Sequence, residues 1–545
     1  MKKTVFKLVA TAGIAFAFNS ASFGQTNLGA DCGCPTPVST RPTVLVSTLA
    51  TSGGAGDGEL LANNTIFDCA HTWILDKKIY VPNGKTLTIM PGTVIKGNPG
   101  VAANATCLLV EVGGKIFASG SPTCQIVFTA AADNLDGTFP IASNGQWGGV
   151  LIAGKATNNL TLAANGPFQP GVGDGKLCVA DGIGTFEGFA STNSKDQFGV
   201  TPAQFDDNDN SGILKYVSIR YAGAILQVGG EINALSLGSV GRGTTIEHLE
   251  IISSADDGIE FWGGTVNIKY YANLFGNDDN FDWDDGYSGK VQFVFSLKTD
   301  NSANTANDNG FECDADDQKS NNTPRSHPII YNATMVGNNK THLNYVSDES
   351  GPAGIMAKEL TEGEIYNSVI ANYEYGCEIK KALVTGRTQQ VYDNWQAGTF
   401  VVKCNTFVNC TNPLTIDKAA PLAADLTKFN TTDMNTSVGS VAGFDYTFTV
   451  NNNTNIVSHK TDLIPNPALS IAGCPTPPAD GFYSVANYRG AFAPTGQTWL
   501  SPWAYSVVAA AVGGSVLCPT DINNDGVTNN VDFLQLLGQF NQSCQ

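Results

Sequence analysis

Charge is scarce in this chain: only 14% of its 545 residues are Asp, Glu, Lys or Arg, and there are just 5 His and 5 Met. What charge there is leans one way, with 49 acidic against 30 basic residues and a formal net charge of −19. Such a deficit of cations argues against nucleic acid and anionic membrane surfaces as partners, because their phosphates demand Lys and Arg. It suits divalent cations, and Ca2+ is the one expected outside cells. Helix-forming runs of Lys, Glu and Leu are also missing, whereas the chain holds 59 Gly and many Asn. That balance excludes a helical bundle and predicts an all-β protein. Beyond the N-terminus no stretch approaches the ~18 uncharged apolar residues that a membrane-spanning helix requires, so no transmembrane segment is expected.

The N-terminus itself has one apolar run. Lys2 and Lys3 precede Val9 to Phe18, and small residues end at Ser22-Phe23-Gly24. This reads as a secretory signal over residues 1–24, cut before Gln25, and places the mature chain outside the cytoplasm or at the cell surface. Cys32 lies too far along to be a lipid-bearing first residue. The 13 cysteines of an exported chain imply disulfides and, being odd in number, at least one unpaired thiol. Residues 25–60, with Cys32-Gly33-Cys34-Pro35 and a Thr/Ser/Pro-rich stretch, form a linker or an N-terminal cap.

From residue 61 short β runs recur between Gly, Asn and Asp turns, as in Thr86–Met90, Leu108–Val112, Gln125–Thr129 and Gly149–Ala153. With no amphipathic helices between them they mean a sandwich, a propeller or a β-solenoid. An internal repeat chooses the last. Asp256-Asp257-Gly258-Ile259-Glu260-Phe261, Asp278-Asp279-Asn280-Phe281-Asp282-Trp283 and Asp308-Asn309-Gly310-Phe311-Glu312-Cys313 match in kind position by position. The first two are about 22 residues apart, close to one coil of a parallel β-helix. Fainter echoes follow at Gly354–Ala357 and Gly376–Ile379. The expected fold is a right-handed parallel β-helix over residues 61–505.

Alternation then assigns faces. Ile259, Phe261, Phe281, Trp283, Phe311 and Cys313 should point inward, leaving Glu260, Asp282 and Glu312 outward as an acidic ladder with rungs about 4.8 Å apart. Together with the turn acids Asp256, Asp257, Asp278 and Asp279, and with Asp284-Asp285, this ladder has three readings. It is a solvated face whose Asp and Asn satisfy turn backbone; or a calcium site between coils; or a catalytic pair, with Glu260, Asp282 and Glu312 as its members. Trp262 and Tyr287 either supply exposed aromatics for a sugar or, as aromatics of this fold more often do, fill the core; Arg220 and Lys269 are ordinary surface cations or the base of a lyase.

Three further segments carry a resemblance: Gly84–Gly97, Gln146–Gly154 and Ser211–Tyr221, closed by Tyr488-Arg489-Gly490-Ala491-Phe492 with Trp499 and Trp503. They resemble secreted bacterial right-handed β-helix proteins. The class includes pectate lyases and polygalacturonases, and Asp256-Asp257 resembles the paired aspartates of the latter. Their Gly-His-Gly motif is absent, and none of His71, His248, His327, His342 or His459 has such a context. The resemblance therefore implies architecture more than chemistry. An extracellular carbohydrate or a surface protein is the expected partner, a binding or structural role is favoured, and a polysaccharide lyase or glycoside hydrolase is the alternative.

The C-terminus has its own signal. In Asp521 to Asp532, oxygen donors fall at loop positions 1, 3, 5, 9 and 12 as Asp521, Asn523, Asp525, Asn529 and Asp532, with Gly526 at 6 and the carbonyl of Val527 at 7. Phe533, Leu534, Leu536, Leu537 and Phe540 then recur at helical spacing. The segment 517–545 resembles a type I dockerin repeat with an EF-hand-like calcium loop. A dockerin uses two repeats and this chain shows one, which argues against a cohesin-like partner. Cys518 and Cys544 are expected to close the module.

Overall fold

The fold is seen in a computed structural model of the chain. It describes residues 28–505 apart from 52–56, 137–138, 166–176, 190–192, 228–229, 299–308, 317–320, 339–351, 384–386, 442–447, 452–455, 460–468, 495–497 and 501–502. The signal segment, the calcium loop at 521–532 and the Cys518–Cys544 pair lie outside the described residues.

Two parallel sheets wind around one another as a right-handed parallel β-helix. One has 11 strands, running from Gly58–Glu59 through Leu235–Gly238, Ile259–Trp262, Phe281–Asp284, Phe311–Cys313, Ala353–Ala357 and Tyr375–Ile379 to Asn412–Ile416. The other has 17 and folds into two walls. The repeat sets the register: Glu260 pairs with Asp282, Asp282 with Glu312, Phe311 with Ile355, and Ile355 with Cys377. Ile259, Phe261, Phe281, Trp283, Phe311 and Cys313 all lie in the main core. Phe281 sits 4.9 Å from Phe261 and 5.6 Å from Phe311, ring centre to ring centre.

The second sheet folds because its strands bend. Thr245–Ile252, Asn267–Leu274, Lys290–Leu297 and Ile329–Val336 each carry one left-handed residue in mid-strand: His248 (φ 53°), Tyr270 (φ 59°), Phe293 (φ 62°) and Asn332 (φ 61°). A left-handed residue with a Cβ costs roughly 1–2 kcal/mol, and here the strain recurs in coil after coil. Stacking offsets part of it: Tyr216, His248, Tyr270 and Phe293 lie ring on ring at 4.3, 4.4 and 5.1 Å. In later coils the bend falls at Asn367, Cys404 and Met434, and the next residues Asn405 and Asn435 each accept from a backbone N–H of the preceding coil.

Four additions close the solenoid. At the front, residues 28–50 are fastened by the disulfides Cys32–Cys124 and Cys34–Cys69. At the rear, buried Phe429 stacks against Phe407 at 5.1 Å. An insertion between the strands Val150–Ala153 and Gly212–Arg220 carries a three-stranded antiparallel sheet, Leu177–Ala180, Ile183–Thr185 and Gln197–Gly199. Finally, residues 469–505 run back along the outside as a strap. The strap begins at the Cys404–Cys474 disulfide, crosses Phe295 with Phe492 and Tyr270 with Trp499, and ends where the Arg220 guanidinium lies 4.3 Å from the Tyr505 ring. Tyr488–Phe492 and the two tryptophans are thus a fastening that runs against the direction of winding.

Beneath that end, Arg220 and Glu250 form an ion pair at 3.6 Å with almost no solvent access. Removing one partner strands the other charge, whereas replacing both with apolar residues does not. Arg220→Met should lower unfolding free energy by about 3–5 kcal/mol, and Arg220→Met with Glu250→Leu should recover most of it, as read by urea denaturation.

Candidate acidic site on the eleven-stranded sheet

Outward residues of the smaller sheet stand in two columns. The first runs Ser236, Glu260, Asp282, Glu312, Met356, Glu378. The second, two residues on, begins Gly238, Trp262, Asp284 and continues through Asp314, Lys358 and Lys380. The stack of Glu260, Asp282 and Glu312 is therefore real, but Glu260 and Asp282 are buried and only Glu312 keeps partial exposure.

The turns entering these strands form a second ladder. The side-chain oxygen of Asn233 accepts from the Asp257 N–H at 3.1 Å, Asp257 accepts from Asp279 N–H at 2.9 Å, Asp279 accepts from Asn309 N–H, and Asn309 accepts from Ala353 N–H at 3.1 Å. Each side chain caps the turn of the next coil, so part of the acidity serves the backbone. Asn233 also donates to Glu260 Oε2 at 2.5 Å, orienting it.

Where the two ladders meet, carboxylates converge. Asp257, Glu260 and Asp282 can each bring one oxygen within 4.8 Å of the others, and so can Asp256, Asp257 and Asp278. Asp257 belongs to both groups, which makes a nest of five acids whose rim, Asp256 and Asp278, is half-buried. Desolvation, then the neighbouring Asp279 and Asp256 charges, hold the Asp257 carboxyl well above the usual carboxylate range. Desolvation, then Glu231, lift Asp256 to about 7. Crowded acids of this kind favour a proton or a cation between them. Hard carboxylate oxygens are also the donor set that Ca2+ takes.

Glu312 belongs to a different arrangement. The Lys358 amine pairs with Glu312 and lies 3.3 Å from Asp314, so the third rung is neutralised from within the protein. Asp314 is still held well above its ordinary range, chiefly by burial, with Lys358 acting against it.

Residues 58–452 match the pectate-lyase-like β-helix domain family. The chain belongs to that family. No curated protein and no solved structure matches it.

Several expected site residues stand elsewhere in this pectate-lyase-like domain. Trp262 and Tyr287 offer no sugar platform, being 1% and 0% exposed. The inserted segment covers Trp262 with Phe186 and Phe198, and Tyr287 turns inward onto Phe261 at 4.1 Å while its hydroxyl donates to Val266 O. Alternation along a flat strand could not foresee either cover. Arg220 cannot be a lyase base for the nest because it is sealed with Glu250 under the strap. Lys269 is on the larger sheet, donating to Phe482 O and Ser484 Oγ. Near the nest, buried Lys298 donates to the Asp278 carbonyl. His248 lies in the bend column, where burial pulls it down to about 4. His71 pairs with Asp68 at 2.7 Å, and His327 lies between Glu362 and Glu364.

Asn233, Lys298 and Lys358 escaped the sequence reading. Asn233 was reachable, since Asn233-Ala234-Leu235-Ser236-Leu237 is the same repeat with neutral residues in the acidic places. The two lysines lie after strands in positions that no repeated letter marks.

The double duty of Asp257 gives a test. With chelator present, Asp257→Asn keeps the oxygen that caps Asp279 and removes a crowded acid group, so stability should hold or rise. Asp257→Ala also removes the cap and should lose about 1 kcal/mol, measured by chemical denaturation.

Proposed function

We propose that this is an exported, calcium-binding β-helix protein with a binding or structural role outside the cell, whose partner is an extracellular carbohydrate or a surface protein. The observation that carries the reading is the convergence of Asp257, Glu260 and Asp282 to within 4.8 Å, extended at the rim by Asp256 and Asp278. A cation seated there would join neighbouring coils and remove the repulsion that lifts the carboxyl groups. The loop Asp521–Asp532 would be a second, independent calcium position with Asn523, Asp525, Val527 and Asn529 as further donors. The apolar run of residues 9–18 supports export, and among the described residues no helix is long and apolar enough to cross a membrane.

The family match favours one other reading, an extracellular polysaccharide lyase or glycoside hydrolase. Glu260 and Asp282 would then be the reacting acids. The burial of both, and of Trp262, counts against it.

Calcium at about 100 times its dissociation constant should add about 2.7 kcal/mol of stability. Melting curves with calcium and with chelator should show this rise in the wild type and in a chain with Asp521→Ala and Asp525→Ala, and lose it in Asp282→Asn. An unchanged melting temperature on calcium addition would remove the inter-coil site. Release of sugar products from acidic or neutral polysaccharides, abolished by Asp282→Asn, would replace the structural reading with the enzymatic one.

A further inference from the structure

On the larger sheet, away from the acidic nest, one histidine faces two carboxylates of the following coil. His327 Nδ1 lies 3.1 Å from Glu362 Oε2, and His327 Nε2 lies 3.4 Å from Glu364 Oε1. A neutral imidazole has one N–H and one bare nitrogen, so it can satisfy one of these carboxylates while turning a lone pair on the other. An imidazolium donates to both. The geometry thus selects the protonated ring.

The surroundings agree. Glu362 has a second cation, Arg325, at 3.7 Å, and Arg325 also donates to Asn394 Oδ1 at 3.2 Å. Glu364 faces the Tyr366 hydroxyl, and Tyr331 and Tyr483 complete the wall. On the strand of the preceding coil the charged group is Lys290, which pairs with Asp480 of the strap at 2.5 Å. Glu364, then Glu362, hold His327 above the usual imidazole range against the opposing effect of burial, and His327 draws Glu364 below its own.

His327 ends a short turn that reaches the other sheet. Its N–H donates to Tyr287 O, and Glu362 N–H donates to Ser326 O. One residue earlier, the Ser326 hydroxyl accepts from Gly286 N–H at 3.1 Å, directly after Asp284-Asp285. The Pro324 carbonyl accepts from Asn159 of the insertion at 3.0 Å. One turn therefore touches three coils and the cover.

We propose that His327 is a proton-operated clasp, fastening the 322–328 turn, and with it the Asp285–Gly286 corner of the acidic face, to the next coil through Glu362 and Glu364. The clasp does not depend on what the acidic nest binds. Its sign follows from linkage: a histidine raised in the folded state contributes stability that is complete below the unfolded value near 6.5 and disappears as pH rises through the folded value. The turn is therefore tight in mild acid and loosens as pH rises through the folded value.

Two measurements on the full chain, both in chelator, test this. The imidazole of His327, followed by NMR against His327→Gln for assignment, should titrate above 6.5 and return towards it in Glu362→Gln with Glu364→Gln. His327→Gln should lower the melting temperature at about pH 5.5 and leave it unchanged at about pH 9, with faster amide exchange over 323–328 at the lower pH only. A His327 midpoint at or below 6.5, or the same melting offset at both pH values, overturns the clasp.

Discussion

Parallel hydrogen bonding between successive coils is the constraint on which everything else rests. It holds equivalent residues about one strand spacing apart, so whatever chemistry one coil presents is repeated directly above it. For apolar residues the repetition is favourable: Phe281 and Phe311 stand in one inward column, and Phe261 and Trp283 in the next. For the bend residues it makes a strained conformation tolerable, because His248, Tyr270 and Phe293 stack where each alone would carry only the strain. For carboxylates it is unfavourable, and the acidic columns show two ways of meeting it. Lys358 meets Glu312 and Asp314 with a cation carried by the chain itself. The nest around Asp257 instead brings carboxylate oxygens to within 4.8 Å of one another.

How much of this could be read in the sequence follows from the same constraint. Residues repeated by kind were legible: the register of Glu260, Asp282 and Glu312, the inward aromatics, and the later coils at Ile355 and Cys377 all follow from aligning short segments. Features that break the repeat were not. Trp262 is hidden by Phe186 and Phe198, which arrive from an insertion about seventy residues upstream, and Tyr287 leaves its face only because the chain turns at Gly286. Arg220 reads from sequence as a surface cation and is a sealed ion pair, since its partner Glu250 and its cover Tyr505 belong to another coil and to the strap. Periodicity reports what one strand does to the next, and it is silent on what is laid over them.

The covers also divide the outside of the solenoid by use. The insertion occupies the smaller sheet up to Trp262, so the acidic columns are displayed only after it ends. The strap occupies the bend column and ties Lys269 and Lys290 into its own backbone and side chains. Among the described residues, the rim of the nest at Asp256 and Asp278 and the imidazole of His327 keep partial exposure.

The direction of the strap has a temporal meaning. Tyr505 closes over Arg220 and Glu250 across 255 residues of sequence. In a chain that emerges from its N-terminus, the coil at Arg220 is present long before the residues that seal it. Until Tyr505 arrives, that charged pair stands without its roof, and a chain truncated anywhere before residue 505 would keep it so. The last residues of the strap thus seal a coil wound far earlier in the sequence.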